Sequence, residues 1–201
     1  MFQIEYYEGE PETYFLPVAL AWGENAGRVV TEFPQAVVAQ LKREEKEFEE
    51  KGVIYDALIN PDFRNALLNA VDWRRRFKSD RGEAIAFRTP KVFRRIRGVS
   101  GEALESRLVK GEHTNTSVVY GERLKLKMFR HLEEGINPEL EIGRFLTETE
   151  RFDNTPQVAG FIEYHTLRGK PVTLGILHKY VANEGDAWQY TCLLYTSPSP
   201  R

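Results

Sequence analysis

Residues 107–146 read RLVKGEHTNTSVVYGERLKLKMFRHLEEGINPELEIGRFL, and the reading of this stretch decides the fold. By period it gives an apolar-rich strand, a polar turn and the short strand Ser117 to Tyr120. A Gly121-Glu122 turn, the alternating strand Arg123 to Phe129 and a capped helix follow.

Three placements within it point to chemistry. The turn Gly111-Glu112-His113-Thr114-Asn115-Thr116-Ser117 offers backbone N–H groups and hydroxyls without hydrophobic bulk, which suits a cover over phosphates. In the strand Arg123 to Phe129, a period of two sends Leu124, Leu126 and Met128 to one face and Lys125, Lys127 and Phe129 to the other. One lysine can then face a nucleotide while the leucines hold the strand in the core. After Gly135, Asn137 caps a helix with Pro138 at its first position, and Glu139 and Glu141 sit where the helix dipole favours acids. A glutamate there can pair with the strand lysine and fix its ammonium for the α and β phosphates. Each placement also has a plain reading: a half-solvated sheet, capping electrostatics and an ordinary turn. Their order within about forty residues, that of the ATP-holding lobe of a kinase, favours the functional one.

The run EHTNTSVVYGERLKLKMFRHLEEGINPELEIGRFLTE, followed by FDNTPQVAGFIEY and TLGILHKYVANEGDAW, closely resembles bacterial maltokinase, particularly the form fused to trehalose synthase. YFLPVALAW and GVIYDALINPDFRNALL extend the resemblance to roughly residues 2 to 190. It implies an aminoglycoside-phosphotransferase-like fold with an N-terminal cap, and an ATP-dependent, Mg²⁺-assisted kinase that makes maltose 1-phosphate for α-glucan synthesis. It implies that Lys127 contacts the α and β phosphates with Glu141 as its ion-pair partner, Lys125 and Glu139 being the alternates. Residues Thr114, Asn115, Thr116 and Ser117 would cover the phosphates. The backbone around Tyr180, Val181 and Ala182 would meet the adenine edge, with Val109, Val119 and Leu177 as apolar walls or ordinary core.

The expected fold class is therefore α+β. Residues 1–98 form a cap of a small antiparallel sheet with helices, and residues 99–190 a kinase-like N-terminal lobe with an antiparallel sheet and one helix. Within the cap, residues 2–21 read as a hairpin with Pro17 marking an edge or bulge. Its aromatics Phe2, Tyr6, Tyr7, Tyr14 and Phe15 are a sugar-stacking surface or, more simply, two strands facing a core. GRVVTEF reads as a further strand, and Phe33 to about Lys51 as a helix with apolar Ala36, Val37 and Leu41 and a mixed-charge solvated face. A second helix starts at Asn60-Pro61 with the stripe Phe63, Leu67, Leu68 and Val71. Trp73-Arg74-Arg75-Arg76-Phe77-Lys78 ends it with cations at the negative end of its dipole. Ser79 to Glu83 read as a turn, Ala84 to Arg88 as a strand and Pro90 to Arg97 as a short basic helix. Beyond the organising stretch, Ala159 to His165 and Val172 to Tyr180 read as paired strands.

Composition bounds the partners. The 201 residues are 41% hydrophobic and 29% charged, with 28 basic against 30 acidic side chains, which is globular and carries no broad basic field for nucleic acid. No stretch reads as a signal peptide or membrane span, so a cytoplasmic protein is expected. The single cysteine, Cys192, excludes an internal disulfide. His113, His131, His165 and His178 lack ligand spacing, and no GxSxG or HExxH string supports a hydrolase.

The resemblance places the aspartate base and the Mg²⁺ ligands in an HGD-type loop and a following acidic motif, neither of which occurs in the sequence. The ten residues 192–201, CLLYTSPSPR, look like translated sequencing-adapter sequence, and residues 191–201 are set aside as a non-native-looking tail. The expectation is a nucleotide-binding part of a sugar kinase that is inactive by itself. The alternatives are a non-catalytic module docking a synthase domain, and a phosphotransferase acting on another acceptor such as an aminoglycoside.

Overall fold

A computed structural model describes residues 1–45, 48–98, 102–109, 114–150, 152, 154–167, 169–183 and 191–192. In chain order its strands and helices are β1 (Phe2–Ile4), β2 (Glu12–Tyr14), β3 (Val18–Trp22), α1 (Gly23–Glu32), β4 (Val37–Glu45), β5 (Phe48–Asp56), α2 (Pro61–Asp72), β6 (Arg76–Ser79), β7 (Gly82–Arg88), α3 (Pro90–Arg97), β8 (Ser106–Leu108), β9 (Asn115–Tyr120), β10 (Leu124–Phe129), β11 (His131–Leu132), α4 (Pro138–Arg144), β12 (Val158–Thr166) and β13 (Val172–Lys179). The fold is α+β, and every strand pairing is antiparallel.

A seven-stranded sheet in the order β6-β7-β12-β13-β10-β9-β8 carries most of the structure. The alternation in β10 is realised as expected: Leu124, Leu126 and Met128 are 0%, 1% and 1% exposed, while Lys125, Lys127 and Phe129 are half-buried on the other face. The leucine face packs on Leu68 and Val71 of α2 and Phe93 of α3. Burying each such side chain contributes about 1.5–3 kcal/mol, so this face anchors β10. Gly175 of β13 is required by the same packing, since a Cβ there would come within 2.7 Å of Met128 Sδ and 2.9 Å of the Lys127 carbonyl. The lysine face is covered at one end by α4, whose Leu140 packs with Val158, Phe161 and Ile176.

The sheet runs across the expected boundary at residues 98 and 99. Strands β6 and β7 precede it in sequence, yet β7 pairs with β12 from Gly82↔Thr166 to Arg88↔Gly160. Arg64 of α2 also crosses it, donating to the carbonyls of Leu58 (2.9 Å), Ile59 (2.8 Å) and Ser106 (3.0 Å) and to Ser106 Oγ (2.9 Å). Tyr120 Oη donates to the Arg64 carbonyl at 2.7 Å. Burial pushes the Tyr120 phenol up and the Arg64 guanidinium down from their ordinary values.

Several expectations for the first hundred residues are corrected. Residues 2–21 do not form one hairpin: β2 pairs with β1 on one side and with β11 on the other, whereas β3 joins a separate sheet in the order β3-β5-β4. Pro17 falls at the break, where it cannot donate to a ladder. GRVVTEF is not a strand but belongs to helix α1, which buries Ala26 and Val29 one turn apart. The segment Phe33 to Lys51 is not a helix. After a single 3₁₀ turn at Pro34–Ala36 it forms β4 and enters β5. Val37 pairs with Tyr55 and packs on the small core, and a register shift after it sets Ala39 opposite Ile54 and Leu41 opposite Gly52, on the other face from Val53 and Tyr55. Helix α2 starts where expected, its Asn60 side chain accepting from Asp62 N at 2.8 Å. It ends at Asp72, so Arg76 and Lys78 belong to strand β6 rather than to a last helical turn. The strand at Ala84 to Arg88 and the basic helix from Pro90 to Arg97 form as expected. The amino-terminal aromatics pack on one another, Phe2 stacking on Tyr14 at 5.9 Å and Tyr14 meeting the edge of His131 at 5.4 Å. Tyr6 and Tyr14 hydroxyls donate to Glu12 Oε2 at 2.8 and 2.6 Å. Among the described residues no helix is long and apolar enough to cross a membrane.

Candidate functional site

On the lysine face, the antiparallel register sets Lys127 between Ser117 of β9 and Ile176 of β13, and Lys125 between Val119 and His178. A cavity of about 470 Å³ opens there, lined by Thr114, Asn115, Lys125, Lys127, Glu139, Pro156, His178, Lys179, Val181 and Asn183. Six residues singled out from the sequence thus meet in one place: Thr114, Asn115, Lys125, Lys127, Glu139 and Val181.

Helix α4 supplies the acid. The Asn137 side chain accepts from Glu139 N (3.0 Å) and Leu140 N (3.2 Å), satisfying two of the free N–H groups of the first turn. Leu140 is buried beneath, which fixes the helix rotation and aims Glu139 at the sheet. Lys127 Nζ lies 2.6 Å from Glu139 Oε2, and its ammonium sits 5.3 Å from the centroid of the Phe129 ring. The partner is therefore Glu139, not Glu141. Residues two apart on a helix project about 200° apart around its axis, so only one of the two acids can face Lys127. The side chains of Lys127 and Glu139 are 30% and 40% exposed, and pairs so open to solvent contribute about 0–1 kcal/mol. What the pair provides is the position of the ammonium.

The polar turn divides differently from the expectation. Gly111, Glu112 and His113 lie outside the described residues. Thr114 and Asn115 reach the cavity, but Asn115, Thr116 and Ser117 are already strand β9. Ser117 is fully buried opposite Lys127, and its hydroxyl has no hydrogen-bond partner among the described residues. Thr116 points to the opposite face, where its Oγ1 accepts from Arg130 Nε at 2.9 Å. Arg130 also pairs with Asp56 at the end of β5, tying the root of this turn to the small sheet. Neither Thr116 nor Ser117 is placed to cover a ligand in the cavity.

At the other end the chain leaves β13 after Lys179. Tyr180 N donates to the Arg123 carbonyl at 2.9 Å, and Arg107 reaches the Tyr180 hydroxyl at 3.4 Å. Tyr180 does not line the cavity, whereas Val181 does, 53% exposed. Of the proposed walls, Val119 shares the lysine face, and Val109 N bonds the carbonyl of Ser117. Leu177 pairs with Leu126 and lies in the core on the opposite face, so it is no wall of this cavity.

His178 was missed as a site residue. Its Nε2 is buried without a hydrogen-bond partner among the described residues, while the side chain lines the cavity. Burial holds the imidazole below its ordinary value, with Glu139 opposing and Lys127 and Lys125 assisting, which favours its neutral form. A neutral imidazole in a polar cavity offers a ligand one donor or acceptor. The two-residue spacing of Ile176 and His178 was visible in sequence, but their register against Lys127 and Lys125 was not.

The polar side chains of the lining are three lysines, two asparagines, a threonine and a histidine, with one carboxylate, Glu139, to orient the Lys127 ammonium. This set fits an anion bearing several oxygens. Among the described residues no group of three or more His, Cys, Asp or Glu side chains is arranged to hold a metal ion. No known protein-family model matches the chain.

Proposed function

We propose that this chain is the ATP-holding part of a sugar kinase of the maltokinase type, comprising a cap and a kinase-like N-terminal lobe. The observation that carries this reading is the Lys127–Glu139 pair at 2.6 Å, a strand lysine oriented by a first-turn helix glutamate above a cavity of about 470 Å³. Such a pair serves phosphoryl transfer by fixing a cation on the α and β phosphates. Thr114 and Asn115 supply donors at the phosphate end, and Val181 and His178 lie toward the base. In that enzyme the γ-phosphate of ATP would pass to the anomeric hydroxyl oxygen of maltose, releasing ADP and a proton and giving maltose 1-phosphate, with Mg²⁺ balancing the phosphate charge. Transfer, the choice of maltose, pairing with a trehalose synthase domain and a cytoplasmic setting all rest on the sequence resemblance alone.

The test is isothermal calorimetry of MgATP against the chain, with AMP and maltose as comparison ligands. Saturable ATP binding that weakens when the β and γ phosphates are removed supports the reading. Equal binding of ATP and AMP, or no binding of ATP, removes it.

A further inference from the structure

Residues 73–81, WRRRFKSDR, leave α2, form β6 and turn back into β7, and every one of them is exposed. The stretch holds five cations and one acid, in a chain whose formal net charge is −2. Strand β6 is the end strand of the seven-stranded sheet, with β7 on one side and no strand on the other among the described residues. The donation from Ala86 N to the Arg75 carbonyl fixes the phase of the ladder. Phe77 and Ser79 then bond toward β7, and the peptide groups of Arg76 and Lys78 face the open edge.

The two faces of this edge differ. Phe77 pairs with Ala84, and together they line an apolar cavity of about 830 Å³ that continues to Ala86, Ile162 and Leu174. On the opposite face stand Arg76 and Lys78, with Glu83 of β7 within 3.4 Å of Arg76 as the neighbouring acid. Edge strands left alone are commonly protected by charge. Here the charge comes with Phe77 at 57% and Trp73 at 54% exposure, side chains that protection alone does not call for.

We propose that β6 is a docking edge for an acidic, extended segment of a partner protein, which joins the sheet as an eighth strand. Ladder hydrogen bonds to Arg76 and Lys78 give affinity, and side chains at alternate positions give specificity. The segment places carboxylates over Arg76 and Lys78 and apolar side chains on the Phe77 face, closing the mouth of the apolar cavity. A second copy of the chain does not serve, because β6 laid antiparallel on β6 sets cations against cations.

The probe is a fluorescein-labelled ten-residue peptide of alternating Glu and Val, titrated against the intact chain by anisotropy. Three comparison ligands accompany it: the peptide N-methylated at alternate nitrogens, a Lys/Val peptide, and a single-stranded RNA of equal charge. The expected result is saturable binding of the Glu/Val peptide that falls at least about tenfold on N-methylation and about tenfold in the Arg76→Glu/Lys78→Glu variant. Phe77→Ser weakens it less, and melting curves of both variants establish that the sheet remains folded. Failure of the Glu/Val peptide to bind overturns the proposal. So does equal binding of the N-methylated peptide or of the RNA, which identifies a plain polyanion patch, and so does binding unchanged by the charge reversal.

Discussion

The seven-stranded sheet and the small sheet β3-β5-β4 are built from the same kind of segment, a strand with one inward and one outward face, yet they hold their strands in different ways. In the large sheet β10 is sealed on its inner face, with Leu124, Leu126 and Met128 no more than 1% exposed. In the small sheet β4 turns Val37, itself only half-buried, onto a core whose buried residues are five, Ala21, Ala26, Val29, Val53 and Tyr55. A strand sealed on one face can carry polar chemistry on the other without losing its register. The candidate site lies on such a strand.

The comparison can be broken most directly by truncating each core. Leu126→Ala is expected to cost about 2–5 kcal/mol in urea unfolding, and Val53→Ala about 2 kcal/mol. Equal costs would mean that the small core is as tightly held as the large one. Tyr120→Phe removes a buried donor from the Arg64 carbonyl and is expected to cost about 1–2 kcal/mol. A neutral result would detach α2 from the account of the large sheet. Asn137→Ala is expected to cost about 1 kcal/mol through the lost cap, and to loosen ATP binding because Glu139 loses its aim.

The smallest effect is a pH dependence. His178 is held below its ordinary value of 6.5 by burial, so the unfolded chain binds more protons than the folded one between the two values. Stability contributed by this group is full above pH 6.5 and declines as pH falls toward the folded value, the direction opposite to that of a histidine gaining a carboxylate partner. His178→Gln is expected to flatten the fall in melting temperature as pH drops below 6.5. An unchanged slope would place the imidazole in solvent.

What was legible in the sequence follows the same division. The strand 123–129, the Asn137-Pro138 cap, the Asn60-Pro61 cap and the paired strands near 159–165 and 172–180 were readable, because local chemistry and burial pattern agree there. Around the small sheet they conflict. The hairpin strand VVAQLKREE is rich in good helix formers, and a register shift between Val37 and Ala39 breaks the alternation that would mark it as a strand. Conversely, GENAGRVVTE carries two glycines and a Val-Val-Thr run, yet it packs as a helix through Ala26 and Val29. In both segments tertiary contact overrides propensity. Within the site, residue types were readable and register was not. Residue type does not separate Glu139 from Glu141; the resemblance favoured Glu141, and the rotation of α4 set by Leu140 selects Glu139. Ser117 stands in sequence at the end of the polar turn and the start of the next strand, whereas its burial opposite Lys127 depends on where β9 begins.

The most direct test of the central claim, that Lys127 oriented by Glu139 holds a nucleotide phosphate, is the ATP affinity of Lys127→Met beside that of Lys125→Met. Because the Lys127–Glu139 pair is partly open to solvent, Lys127→Met should melt close to the parent, and the melting curve of each variant accompanies its affinity. The account predicts that Lys127→Met weakens ATP at least about tenfold, with a smaller loss for Lys125→Met. ATP affinity unchanged in Lys127→Met would contradict it, and would leave the pair as an ordinary contact between a strand and a helix.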